Sequence, residues 1–337
     1  MKVLCIEQPG KMVIKDMPKP ALQPGYAVIK MEECGICGSD VTAYKGVNPT
    51  MKYPVDGIGH EGVGIIEEIG ENSKGLKAGD RVALEPYVPC NQCHMCKAQR
   101  FNNCVNLQVC GVHKNGMMAE YFLHPVQLLY PIPQKLSFTR ATIVEPLSIS
   151  LHGATRARVT KGDRVVVFGA GTIGLLAAFA CLNYGAMPIL VDVLQTRLDN
   201  AKELGIPHVF NSKNGDVAQE LERVFGQLAD AMIDCTGSPF VLQEMHNYVR
   251  HGGRIALVGW PHEPVAINTV RCMQKELDIY PCRNSNAKFP EAVQLVNEDK
   301  VPTTQIITKT IGLEEVEATI QDMAQNPANY MKVVVKI

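Results

Sequence analysis

Cys90, Cys93, Cys96 and Cys104 follow the spacing Cys-x-x-Cys-x-x-Cys, with seven residues before the fourth cysteine. Thiolates gathered by such short turns make a closed tetrahedral zinc site with no position left for water. A zinc held this way would fold a lobe and do no chemistry. Four unrelated free thiols would have no reason to share this spacing. An iron–sulfur cluster competes, because three ligands at this spacing also occur in ferredoxins. Here no proline follows the fourth cysteine, and there is no second set of cluster ligands.

A second pattern is Gly169-Ala170-Gly171-Thr172-Ile173-Gly174. It follows the strand-like run Arg164–Phe168 and opens a helical run to Tyr184. Asp192 comes eighteen residues past Gly174, at the end of the next apolar run. This order is that of a dinucleotide-binding turn. Its glycines admit a pyrophosphate to the backbone, and the helix N-terminus favours the phosphate charge. Asp192 would accept hydrogen bonds from the ribose hydroxyls and repel a 2′-phosphate, which favours NAD over NADP. Arg197, five residues on, would soften that preference. A plain strand–turn–helix is the competing reading.

A third set is dispersed: Cys37, His60, Glu61 and Glu145. Singly, each is unremarkable. Cys37 and His60-Glu61 each lie in a glycine-rich turn, and a catalytic zinc takes three protein ligands with one open position. Spacing alone does not assemble these residues.

The elements around these residues fall into two textures. Up to about Thr139, short apolar runs such as Ala27–Lys30, Val63–Ile69 and Arg81–Leu84 are broken by glycine and proline, which predicts an irregular β-rich lobe. From Arg164, strands alternate with helices. The strands are Arg164–Phe168, Met187–Asp192, Ala231–Cys235 and Arg254–Val258. The helices are Thr172–Tyr184, Thr196–Leu204, Val217–Phe225 and Phe240–Tyr248. That alternation predicts a parallel sheet covered on both faces. Beyond Leu277 the pattern loosens, and Val333–Val335 reads as a last strand.

The 337 residues suit two lobes, and 46% hydrophobic with 20% charged residues is ordinary for a globular protein. A net charge of −1 and no basic stripe argue against a nucleic-acid or lipid partner, and so against a zinc module that binds nucleic acid. The N-terminus reads as lacking a signal peptide. Val165–Val191 carries no charge and could span a bilayer by length, but its glycines and Pro188 favour strand, turn, helix and strand. Twelve cysteines without an export signal point to a cytoplasmic protein with reduced thiols and metal ligands.

Taken together, Cys37-Gly38-Ser39-Asp40, Gly59-His60-Glu61, the four-cysteine lobe, Glu145-Pro146-Leu147 and Gly169 to Gly174 resemble the zinc-containing medium-chain dehydrogenases. The resemblance runs over essentially the whole chain. It implies an α/β protein with a GroES-like catalytic domain over 1–145, a doubly wound Rossmann domain over 146–280, and a return to the catalytic domain over 281–337. It also implies a homodimer or homotetramer, a catalytic and a structural zinc, and NAD. Cys37 and His60 become zinc ligands, with Glu145 or Glu61 supplying a carboxylate directly or through water. The stretch around Glu145 is similar to the polyol branch, which includes sorbitol, threonine and sugar-acid dehydrogenases. Arg283-Asn284 corresponds to a place near the substrate in that branch. Ser39 becomes the first proton relay. One departure is Thr42, where many relatives carry a histidine, and this weakens the usual end of that relay. The implied reaction is hydride transfer between a secondary alcohol of a polyol or sugar acid and NAD. Amino alcohols such as threonine also fit zinc chemistry. A zinc-free quinone or enoyl reductase of the same fold would need neither Cys37, His60 and Glu145 nor the cysteine lobe.

Overall fold

The computed structural model describes residues 1–47 and 51–337, which form two compact units. The first comprises Met1–Glu145, Phe289–Asp299 and Thr303–Ile337. Its main sheet is built around Tyr26–Ile36, which pairs antiparallel with Glu61–Ile69, Tyr121–Pro125 and Lys332–Lys336. Arg81–Leu84 and Leu129–Pro131 extend the sheet on one side, and Ile307–Gly312 on the other. Ala27, Val28 and Ile29 are all fully buried, so the central strand has no solvent face there. Ile29, Met31, Ile66, Leu84, Val333 and Val335 share one apolar core. Each large apolar side chain so buried contributes about 1.5–3 kcal/mol.

Two pairings in this sheet position the chemistry. Gly35 lies opposite Glu61, and Val333 lies opposite Ile36. The chain end is thereby brought beside the turns that carry Cys37 and His60, although hundreds of residues separate them in sequence. The cysteine-rich segment is a separate excursion, closed by the short antiparallel pair Tyr87–Val88 and Gln108–Val109.

The second unit comprises Pro146–Lys288 with Lys300–Pro302. Its six parallel strands lie in the order His208–Asn211, Met187–Asp192, Arg164–Phe168, Ala229–Asp234, Val249–Leu257 and Asp278–Pro281. Numbered along the chain, that order is the doubly wound arrangement, whose topological switch lies beside the first strand. The helix Thr172–Asn183 is buried without interruption from Gly174 to Cys181. A helix apolar on every side belongs inside a fold, and this accounts for the uncharged run. Among the described residues, no helix is long and apolar enough to cross a membrane.

Two strands were not foreseen from the sequence, His208–Asn211 and Asp278–Pro281. They are the two edges of the parallel sheet, four residues each and half exposed, so their apolar signal is weak. The expected helix Phe240–Tyr248 is instead a short helix, Pro239–Glu244, followed by a 3-10 turn, Met245–Asn247.

Candidate metal centres and cofactor site

The helix Gly38–Tyr44 begins immediately after Cys37, which caps it. Asp40, in its first turn, accepts the Cys37 backbone N–H at 2.8 Å through Oδ2. Its other oxygen accepts the Gly59 N–H at 3.3 Å. Asp40 therefore ties the Cys37 turn to the turn that delivers His60. Gly59 has φ 82°, and a Cβ there would lie 2.8 Å from Cys34 Sγ, so this turn requires glycine. Glu61 starts the next strand, and its carboxylate fits only because Gly35 has no side chain. A Cβ on Gly35 would come within 1.9 Å of Glu61 Oε2.

The result is a group of three donors, Cys37, His60 and Glu61, whose ligand atoms all lie within 4.8 Å of one another. Glu145 is not among them. It sits in the first turn of the helix Val144–Arg156, buried, and accepts the Tyr87 hydroxyl. Burial raises its pKa, and His60 opposes that shift. Burial also works against a charged His60, yet its pKa lies well above the ordinary value. The hydrogen bond to Cys37 and the charges of Cys37, Asp40 and Glu145 outweigh the burial. His60 Nδ1 has no hydrogen-bond partner among the described residues and lies 3.9 Å from Asp40 Oδ1. One thiol, one imidazole and one carboxylate are a donor set that suits zinc.

Sequence reasoning missed Lys332. Only 3% of its side chain is exposed, and its Nζ donates at 2.6 Å to both oxygens of Glu61. The one hint was a lysine heading the apolar run Val333–Val335. Tyr87 and the tethering role of Asp40 were missed as well. Ser39 lies on the helix after Cys37, and Thr42 donates its hydroxyl to the Ser39 carbonyl at 2.9 Å. That hydroxyl is thus engaged within its own helix.

The four lobe cysteines also converge, with all Sγ atoms within 4.8 Å of one another. The Cys93–Cys96 and Cys93–Cys104 sulfur distances are 3.5 and 4.0 Å, far beyond a disulfide bond. Backbone hydrogen bonds from Val105 and Cys96 lower the Cys93 pKa, which favours the thiolate that a metal needs.

In the second unit the glycine turn is built as its spacing implied. Gly169 has φ 96°. A Cβ on Gly174 would lie 1.7 Å from the Gly169 carbonyl oxygen, so helix and strand pack there at backbone distance. Gly171, just before Thr172 and Ile173 open the helix, is different. A Cβ on it would meet only Arg197 Nη1, at 4.0 Å. This open approach suits a pyrophosphate. Asp192 accepts the Ala170 N–H at 2.6 Å and the Leu194 N–H at 2.8 Å, and Arg197 lies 3.9 Å from the same carboxylate. Arg283 and Asn284 follow the last strand of this unit, Asn284 with φ 50°. The candidate metal donors Cys37, His60 and Glu61 belong to the other unit.

Two family models match, an alcohol dehydrogenase GroES-like domain over residues 23–134 and a zinc-binding dehydrogenase over 172–298. A zinc-type alcohol dehydrogenase-like protein of Haemophilus influenzae is 41% identical, over 99% of this chain and 98% of its own length. The chain belongs to the zinc-type medium-chain dehydrogenase/reductase family. This dehydrogenase is also similar to L-galactonate-5-dehydrogenase of Escherichia coli, at 34% identity over 91% of both chains. Sorbitol dehydrogenase of Bacillus subtilis is 30% identical over 99% of this chain and 97% of its own. The crystal structure of RspB from E. coli CFT073 complexed with NADH superposes with a TM-score of 0.94 at 30% identity, covering 100% and 99% of the two chains. The protein is a zinc-binding dehydrogenase with a GroES-like domain followed by a Rossmann-like domain.

Two outcomes follow from this geometry. Cys96→Ser should release one zinc per chain, expose the lobe to proteolysis and lower the thermal midpoint by on the order of 10 °C. Unchanged metal content and stability would remove the structural zinc. Asp192→Ala should raise the ratio of kcat/KM for NADP to that for NAD by about tenfold or more. A constant ratio with a lowered melting point would leave Asp192 only the task of bracing the glycine turn.

Proposed function

We propose that this enzyme oxidises a secondary alcohol on a polyhydroxylated chain, a sugar alcohol or a sugar acid, with NAD. The observation that carries this reading is the Cys37–His60–Glu61 group, with the buried carboxylate of Glu145 also interacting with His60. When bound, zinc supplies Lewis acidity that lowers the pKa of an alcohol oxygen, and NAD supplies the hydride acceptor. Cys37, His60 and Glu61 would hold the metal. Glu145, steadied by Tyr87, would accept a hydrogen bond from a neighbouring substrate hydroxyl. A small apolar alcohol would offer no second hydroxyl to that carboxylate. Ser39 would take the proton first. With the Thr42 hydroxyl donated to the Ser39 carbonyl, Thr42 is a poor next station. Gly169, Gly171, Thr172, Ile173 and Gly174 would cradle the pyrophosphate, and Asp192 would orient the adenosine ribose beside Arg197.

Two of the relatives support the substrate class by name, L-galactonate-5-dehydrogenase and sorbitol dehydrogenase. Arg283, with Asn284, favours the sugar acid, because a guanidinium fork pairs well with a carboxylate. The test compares kcat/KM for a sugar acid, its matching alditol and ethanol, in wild type and Arg283→Ala. We expect ethanol to be the poorest substrate. The variant should lose about 10–100-fold on the sugar acid, the worth of one charge-assisted hydrogen bond, and only a few-fold on the alditol. Best activity on ethanol would overturn the substrate class. Equal losses on acid and alditol would overturn the carboxylate role.

A further inference from the structure

Asp234 ends the strand Ala229–Asp234 and is fully buried. Its carboxylate turns back on the loop that follows it. Oδ1 accepts the Thr236 N–H at 3.0 Å and the Thr236 hydroxyl at 2.6 Å, and Oδ2 accepts the Gly237 N–H at 3.0 Å. Its backbone carbonyl accepts the Val258 and Gly259 N–H groups, at 2.8 and 2.9 Å, from the end of the next strand. Burial pushes the pKa of this carboxyl up, and the three donors oppose that shift. One residue thus holds two loops. Those loops also meet each other and the glycine turn at close range. A Cβ on Gly259 would lie 2.2 Å from the Gly237 nitrogen, and one on Gly169 would lie 2.9 Å from Thr236 Cγ2.

These contacts lie at the topological switch of the sheet. Arg164–Phe168 has Met187–Asp192 on one side and Ala229–Asp234 on the other, with Val249–Leu257 beyond. A dinucleotide whose adenosine ribose meets Asp192 and whose pyrophosphate meets Gly171 has its other half left for the far side of the turn, over the ends of those last two strands. We propose that Asp234 is a positioning residue, whose buried carboxylate holds the loops 235–237 and 258–260 as a rigid floor for the nicotinamide half of the cofactor. This rests on the reading that the glycine turn takes NAD. Hydride transfer needs aligned partners, so a loosened floor costs affinity and rate together. A carboxylate that merely closed the end of a strand would, on removal, lower stability without distinguishing one half of the cofactor from the other.

The test uses the full-length protein, Asp234→Asn and Gly259→Ala as variants, and circular dichroism as the check on folding. Asparagine keeps the shape but sets an NH2 group against one of the three donors. Gly259→Ala pries the same loops apart from the other side and leaves Asp234 intact. NADH binding is read by its fluorescence, excited directly and through Trp260, the chain's single tryptophan, which lies on the second loop. ADP, which lacks the nicotinamide riboside, is read by calorimetry. Both variants should bind NADH about 10–100-fold more weakly, the scale of a lost hydrogen bond to a charged group, and ADP within about threefold of wild type. Unchanged NADH affinity in either folded variant, or equal losses of NADH and ADP, would overturn the proposal. If Asp234→Asn does not fold, Thr236→Val decides, since it removes the hydroxyl that donates to Asp234. It should weaken NADH by about fivefold or more and spare ADP, and equal effects on the two would overturn the proposal. Wild-type protein that binds neither NADH nor ADP would overturn the cofactor reading, and the proposal with it.

Discussion

A carboxylate buried at the edge of an apolar core is the constraint on which the first unit depends. Glu61 is 1% exposed and would cost several kcal/mol if left unpaired. Its neighbours all answer to that cost. Gly35 gives it room, Lys332 gives it a counter-charge, and Cys37 and His60 complete a donor set for a divalent cation. The sheet register that sets Gly35 opposite Glu61 and Val333 opposite Ile36 brings all of these to one place. A slip of one residue in either pairing would turn the side chains to the other face.

Glycine does different work at the two sites. In the metal site it removes a side chain where a carboxylate or a sulfur must pass, at Gly35 and Gly59. In the dinucleotide turn, Gly169 and Gly174 let helix and strand backbones touch, while Gly171 stays open for a ligand. Asp192 serves this turn before any cofactor arrives, because its carboxylate already holds the Ala170 and Leu194 amides. The residue that would discriminate between cofactors is therefore also part of the scaffold.

How much of this could be read in the sequence depended on how local each feature is. The cysteine lobe was legible because its four ligands lie within one short excursion. The glycine turn was legible because strand, turn, helix and second strand follow one another directly. The metal triad was readable only through family resemblance, since antiparallel pairing brings Cys37 and Glu61 together. Which of Glu61 and Glu145 joins Cys37 and His60 could not be read from spacing; the structure brings Glu61 into that group and leaves Glu145 on Tyr87. Lys332 was illegible because it meets Glu61 across 271 residues, from a strand whose pattern looks wholly structural. The edge strands His208–Asn211 and Asp278–Pro281 were lost for a simpler reason, as half-exposed strands carry little apolar signal.

The central claim is that one chain carries two zinc sites of different kinds, one closed and one open to chemistry. Metal content by atomic emission, measured on wild type and on His60→Ala, tests it most directly. The account predicts about two zinc ions per wild-type chain and about one in the variant, which should remain folded, bind NADH and lack turnover. One zinc in the wild type, or two in a variant that still turns over, would contradict it.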